Sequence, residues 1–321
     1  MTLSGTEVKP REGRCHICLL NLNMKKVVST MRYEGAIYRP PSEANSLILQ
    51  ITIGCSHNRC TFCVAFMDKK YRERELAEIE ADINEAARSL RGVRRVFLAD
   101  GNALAMQTEK LLKVLKKLYS AFPNLERIGI YASPQDLLEK SEDELRKIKK
   151  AGLGIVYLGV ETGNEELLAW IRKGATRDEI IEAGLRARRA GLVLSITVIN
   201  GLGGMAKMEA HAMDTATLLN KIDPEYLGLL TLMVCAGTPI ARQVEKGEFT
   251  VPGQLEILKE IEMMLRSLEL SNCVFRANHA SNYLPLKGTL PEDKEKLLNI
   301  LEKVRLSGDL RQLRPEYLRG L

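Results

Sequence analysis

Leu47-Ile48-Leu49-Gln50-Ile51-Thr52-Ile53-Gly54-Cys55-Ser56-His57-Asn58-Arg59-Cys60-Thr61-Phe62-Cys63 is the stretch whose reading decides the fold. Residues 47–53 form an apolar, β-branched run that predicts a buried strand. After Gly54, three of the chain's seven cysteines fall within nine residues, in the spacing C-x4-C-x2-C. A loop at the carboxyl end of a strand can present three thiolates to one point, as an iron–sulfur cluster requires. Three ligands leave one iron of a four-iron cube without a protein donor, and a substrate or cosubstrate can bind there. The competing use of these thiols is zinc, which takes four ligands, often in paired C-x2-C knuckles. Cys60 and Cys63 make one such pair, and Cys15 with Cys18 makes another. Disulfides fit poorly, because nothing marks the chain as secreted. Clustering this dense favours the iron–sulfur reading.

The 321 residues suffice for one large α/β domain or two small ones, and 45% apolar content suits a packed core. No apolar run approaches the ~20 residues of a membrane helix. Residues 1–13 are polar and 18–22 are too short for a signal core, so a cytoplasmic protein with reduced thiols is expected. The net charge of +6 is spread along the chain and forms no concentrated basic stripe. Aromatic residues make up only 5%, which argues against a base-stacking nucleic-acid surface.

Outward from the cysteines, apolar periodicity alternates. Helical spacing at Leu76, Ile79, Ile83, Ala86 and Leu90 precedes a strand over 93–99. A helix over 111–119, a strand over 125–132 and a helix over 141–151 follow, the last opened by the capping box Ser141-x-x-Glu144. Further strands are predicted at 155–160, 192–200 and 226–234, and helices at 164–173, 176–190, 205–221, 254–268 and 292–304. Six strands alternating with helices argue for parallel β/α units, wound as an open barrel or a doubly wound sheet.

The strand, the cysteine triad and Phe62 before its last member resemble the radical S-adenosylmethionine (radical SAM) superfamily, with one residue more than its commonest C-x3-C-x2-C spacing. The resemblance selects a partial (βα)6 TIM-like barrel over residues 45–240, between an N-terminal extension (1–44) and a C-terminal capping region (241–321). It implies a 4Fe-4S cluster on Cys55, Cys60 and Cys63 that binds S-adenosylmethionine at its open iron. One electron then cleaves the sulfonium, and a 5′-deoxyadenosyl radical takes a hydrogen from the substrate.

The resemblance also assigns the strand ends. Asp100 and Gly101 match the turn that holds the methionine ammonium. Glu161, in Gly159-Val160-Glu161-Thr162-Gly163, matches the residue at the ribose in the branch that includes oxygen-independent coproporphyrinogen oxidase and the methylthiotransferases. Lys173 matches a cation for the methionine carboxylate. Thr197, Asn200 and Gly201 fall in the adenine-side segment, and Phe62 is expected beside the adenine. Tyr131 stands where several relatives carry an acid, within reach of cofactor or substrate.

The stretch 273–288 gathers Arg276, Asn278, His279, Asn282 and Tyr283, read as a substrate cradle over the barrel mouth, with His279 as proton donor or acceptor. Lys69, Lys70, Arg72 and Arg74 follow the triad, either as a solvated loop or as cations steering an acidic flavodoxin- or ferredoxin-type electron donor. The substrate is expected to be a small molecule or part of a partner protein. Two non-enzymatic readings stand beside this one: a zinc-bound structural protein using Cys15, Cys18, Cys60 and Cys63, and a cluster or haem carrier.

Overall fold

The computed structural model describes residues 31–320. Cys15 and Cys18, the second cysteine pair of the alternative zinc reading, lie outside them. The run at 47–53 is two strands, β1 (Leu47–Gln50) and β2 (Thr52–Ile53). Ile51 sits at the break, where its N–H donates to Ala99 O at 2.6 Å. β2 turns away to pair antiparallel with β3 (Arg72–Glu73), so the cysteine loop is the connection of a small ribbon.

The other five expected strands are β4 (Arg95–Ala99), β5 (Arg127–Ala132), β6 (Leu153–Glu161), β7 (Val193–Asn200) and β8 (Tyr226–Thr231). Two more, β9 (Cys273–Arg276) and β10 (Lys287–Leu290), arise inside the stretch read as a polar cradle. One eight-stranded sheet runs β1-β4-β5-β6-β7-β8-β9-β10. Every neighbouring pair is parallel except β9 with β10. The α/β class with a parallel, partly wound barrel is as expected, and no pairing joins β1 to β10 among the described residues.

Ten helices accompany the strands: α1 (Leu76–Ser89), α2 (Thr108–Ala121), α3 (Pro134–Glu139), α4 (Glu142–Lys150), α5 (Glu165–Trp170), α6 (Arg177–Arg189), α7 (Met208–Ile222), α8 (Pro239–Glu245), α9 (Gln254–Ser267) and α10 (Lys294–Ser307), counted among the described residues. The capping box before α4 is present: Ser141 Oγ accepts from Glu144 N at 3.2 Å. Periodicity missed α3 and α8 because each is under two turns long. Both begin with proline after a side-chain cap, Ser133 or Thr238, a start signal that was legible. Among the described residues no helix is long and apolar enough to cross a membrane.

Strand alternation divides the core in two. Val156, Leu158 and Val160 of β6 face the main apolar cluster, which includes Leu111, Val114, Leu115 and Leu118 of α2. Each such fully buried side chain contributes about 1.5–3 kcal/mol. Ile155 and Tyr157 of the same strand face inward, with Ile48, Phe97 and Ala99. Residues 31–46 fill the base of this inner face. Tyr33 donates to Ile48 O at 2.8 Å, and Glu43 is held by Arg127 at 2.6 Å and by the Tyr157 hydroxyl. With the base plugged, the carboxyl ends of the strands are left for chemistry, as in other barrels.

Candidate active site

The cysteine loop is tied to three strand-end turns. Gly101 N donates to Gly54 O at 3.1 Å, and Ser56 N donates to Asn102 Oδ1 at 2.8 Å. Asn102 Nδ2 donates onward to Ser56 Oγ at 2.7 Å and to Asp136 Oδ1 at 2.9 Å. On the other side, Thr61 N donates to Ile171 O at 2.9 Å and Ile240 N donates to Thr61 O at 3.2 Å. His57 Nε2 lies 2.6 Å from Arg172 O. That contact latches the loop to the turn carrying Lys173.

Gly101 is needed here for space. A Cβ at this position would stand 2.8 Å from both Cys55 Cβ and Phe66 Cε2. Gly101→Ala is therefore expected to push Cys55 out of place with about 1–3 kcal/mol of overpacking strain. Reduced iron per chain after anaerobic reconstitution, with the circular dichroism spectrum retained, is the measurement that checks it.

Asp100 is buried, and its Oδ2 accepts from Lys69 Nζ at 2.8 Å, Gln50 Nε2 at 2.9 Å and Gly54 N at 3.1 Å. Its Oδ1 is buried without a partner. The reading of Lys69 and Arg74 as surface cations is corrected. Lys69 is held by Asp100, while Arg74 lies buried on Asp82 at 2.7 Å and Gln50 O at 2.8 Å. A buried carboxylate needs a partner, and these loop lysine and arginine side chains supply it. Arg72 pairs with Glu34, and Lys70 is exposed.

Glu161 ends β6 at a register shift and has φ +67°, a left-handed conformation uncommon outside glycine. The turn aims its carboxylate at Lys173, and Lys173 Nζ donates to Glu161 Oε1 at 2.9 Å with both side chains nearly enclosed. A Cβ on Gly159 would lie 2.3 Å from that oxygen, so the glycine makes room for the pair. Burial alone would depress the Lys173 ammonium. Glu161, Cys60 and Cys55 outweigh it and hold the pKa above the usual lysine value. Burial pushes the Cys60 thiol up to about 12, against the pull of Lys173, and raises Cys63 as well. Thiols, Glu161 and Lys173 thus share one electrostatic neighbourhood.

Tyr131 packs edge-on against Phe97, with ring centroids 4.8 Å apart. Burial, followed by Tyr157, Glu43, Asp100 and Glu161, raises its pKa, so the hydroxyl keeps its proton. Phe62 packs with Ile171, Leu202, Leu232 and Ile240, beside the expected adenine segment. Thr197 lies half-buried on β7. Asn200 is fully buried with neither amide atom partnered, and Gly201 N donates to Glu260 Oε1 at 2.8 Å.

The 276–283 residues sit at the end of β8 and are largely engaged there. Thr231 Oγ1 donates to Asn282 Oδ1 at 2.8 Å, and Asn282 Nδ2 donates to Leu229 O at 2.7 Å. Tyr283 donates to Glu316 at 2.8 Å and accepts from Arg319 at 2.7 Å. Arg276 bonds Phe275 O and Gly288 O. His279 Nδ1 contacts Ser281, and burial then Arg314 depress its pKa. Asn278 is exposed.

Residues that were not singled out carry much of the geometry: Asn102, Lys69 as a buried partner, Gly159, His211 and Glu260. For the last two a signal was present. Glu260 interrupts the apolar stripe Ile257, Ile261, Met264 of α9, and His211 lies on the face of α7 with Ala212, Thr215 and Leu219.

The residues present fit a cluster. Three soft donors share one pinned loop, and the cradle at Gly101 fixes Cys55. A buried unpaired oxygen of Asp100 stands on the adjoining turn. Among the described residues no three His, Cys, Asp or Glu side chains meet as a single ion would require. A cube makes no such demand, since each cysteine takes a different iron.

The fold is an α/β, mostly parallel sheet that carries three thiols and a buried acid–lysine pair toward its strand ends. The radical SAM superfamily model matches residues 49–216, more than half the chain, which therefore belongs to that superfamily. The haem chaperone HemW of Bacillus subtilis (strain 168) is 25% identical over 67% of this chain and 58% of its own. The tRNA-2-methylthio-N(6)-dimethylallyladenosine synthase of Moorella thermoacetica is 26% identical over 71% of this chain and 50% of its own. This chain thus spans little more than half the length of the curated relatives it matches. Coproporphyrinogen III oxidase (HemN) from Escherichia coli shares the fold, with TM-score 0.53 and 21% identity over 69% of this chain and 52% of its own.

Proposed function

We propose that this protein is a radical SAM enzyme that takes a hydrogen atom from a small molecule or a partner-presented group. The observation that carries the proposal is the three-cysteine loop pinned beside the Glu161–Lys173 pair. Cys55, Cys60 and Cys63 would hold a 4Fe-4S cluster, which supplies one-electron reductive cleavage of S-adenosylmethionine. In the chain alone Glu161 and Lys173 satisfy each other. A ligand offering both hydroxyls and a carboxylate gives each a new partner, the ribose for Glu161 and the methionine carboxylate for Lys173. Asp100, with Oδ2 fixed by Lys69, keeps Oδ1 for the ligand's ammonium, and Gly101 brings backbone close to it. Phe62, Thr197, Asn200 and Gly201 line the adenine side and exclude water there. Tyr131 is a protonated donor on the inner face. His279, Arg276, Asn278, Asn282 and Tyr283 shape the rim through the loop after β9. The electron comes from a flavodoxin- or ferredoxin-type donor, and the protein works in the cytoplasm, where its thiols stay reduced.

Anaerobic reconstitution followed by reduction tests this. About four irons per chain and release of 5′-deoxyadenosine are expected. One zinc without colour, or a cluster that never cleaves S-adenosylmethionine, would overturn it. The likeness to HemW, named a haem chaperone, supports a second reading as a haem carrier. Stoichiometric haem binding without 5′-deoxyadenosine release would favour that reading.

A further inference from the structure

A chain of buried polar contacts runs behind the strand ends. Asn164 N donates to Thr162 Oγ1 at 3.1 Å, and Thr162 Oγ1 lies 2.7 Å from His211 Nδ1. Gly163 N donates to Thr215 Oγ1 at 2.8 Å, one helical turn beyond His211. His211 Nε2 lies 3.4 Å from Glu260 Oε1, which accepts from Gly201 N at 2.8 Å. Thr162, His211, Thr215 and Glu260 are all fully buried.

Thr162 Oγ1 and His211 Nδ1 share one hydrogen bond, which leaves Nε2 of the same ring turned toward Glu260. Burial lowers His211 to about 4 and raises Glu260 to about 8, opposed at Glu260 only by the Gly201 N–H. His211 Nε2 and Glu260 Oε1 meet as a close polar contact in the buried space between α7 and α9. A buried acid and a buried imidazole gain nothing in transfer free energy.

We propose that Glu260 and His211 are positioning residues that lock the loop after β7 to the loop after β6, setting the gap in which the adenosine of S-adenosylmethionine lies. The last clause rests on the function proposed above; the coupling between the loops does not. Thr162 and Gly163 directly follow Glu161, and Gly201 opens the Gly201-Leu202-Gly203-Gly204 turn. A strut through α7 and α9 therefore holds the ribose side and the adenine side at a fixed separation.

The test reads amide hydrogen exchange at 161–164 and 200–204 without ligand, and S-adenosylmethionine affinity in the reconstituted protein. Glu260→Leu removes the acceptor of Gly201 N–H. Exchange is expected to quicken at both loops and affinity to fall about tenfold, as when a buried donor is left unpaired, with iron content unchanged. Glu260→Gln keeps the accepting oxygen and should restore both. Thr162→Val acts at the far end, so it should quicken exchange at 200–204, and it decides the matter should Glu260→Leu not fold. Quickening confined to the mutated end, or unchanged affinity in a folded Glu260→Leu, would overturn the strut. A wild-type protein that binds no S-adenosylmethionine would instead sink the proposed function and leave the exchange result to judge the loop coupling.

Discussion

Replacing Cys60 by alanine is expected to remove the proposed iron–sulfur loading and, with it, cleavage of S-adenosylmethionine, while leaving the denaturation midpoint close to that of the metal-free wild type. Backbone contacts hold the loop around Cys60 and do not involve its sulfur. Thr61 is bonded to Ile171 and Ile240, Cys63 N to Cys60 O, and His57 to Arg172. The thiol is pushed up to about 12, so in the metal-free chain it is a neutral, dispensable group. Two remaining thiolates cannot anchor a cube that three hold. The loss should exceed the about 10–100-fold that follows removal of a mere outer-shell partner of a metal site. Iron content and brown absorbance of Cys60→Ala after reconstitution measure it. Retention of both would mean that the ligand set is wrong.

Lys173→Met is expected to destabilise the metal-free chain by about 3–5 kcal/mol, the usual consequence of leaving one half of a buried pair alone. Glu161 and Lys173 side chains retain only 11% and 9% of their exposure, so water cannot replace the missing partner. Glu161 also stands at φ +67°, a conformation that itself costs about 1–3 kcal/mol. Its carboxylate cannot swing to solvent without giving up the turn. The double variant Lys173→Met, Glu161→Gln should recover most of the loss, because a neutral amide tolerates the site far better than an unpaired charge. Urea denaturation of the three proteins provides the comparison. A Lys173→Met midpoint equal to wild type would show that the pair is not what holds this turn together.

The two effects are separable. One variant abolishes loading and spares the fold, and the other weakens the fold at the place where ligand contacts are proposed. Should Lys173→Met instead lose affinity for S-adenosylmethionine with little change in stability, its ligand role would outweigh its structural one.

The strands and helices were legible because their information is local. A short continuous apolar run such as 155–160 reads as a strand buried on both faces, and Ser141-x-x-Glu144 states where α4 begins. The C-x4-C-x2-C spacing likewise places three donors on one short loop whatever surrounds it. At the stretch 273–288 the two strands β9 and β10 were not legible, because each is only four residues long and they flank the polar side chains, of which Asn282 bonds β8. Sequence alone therefore determined the class of fold, six of the strands in its main sheet as segments along the chain, and the three candidate iron ligands, while the order of those strands in the sheet came from the tertiary structure. Only the tertiary structure decided that Lys69 and Arg74 turn inward to Asp100 and Asp82, that Lys173 meets Glu161, and that Glu260 reaches Gly201, 59 positions earlier in the chain. The physical reason is that a buried charge or amide must find its partner wherever the fold brings one, and that distance in space is not encoded in spacing along the chain.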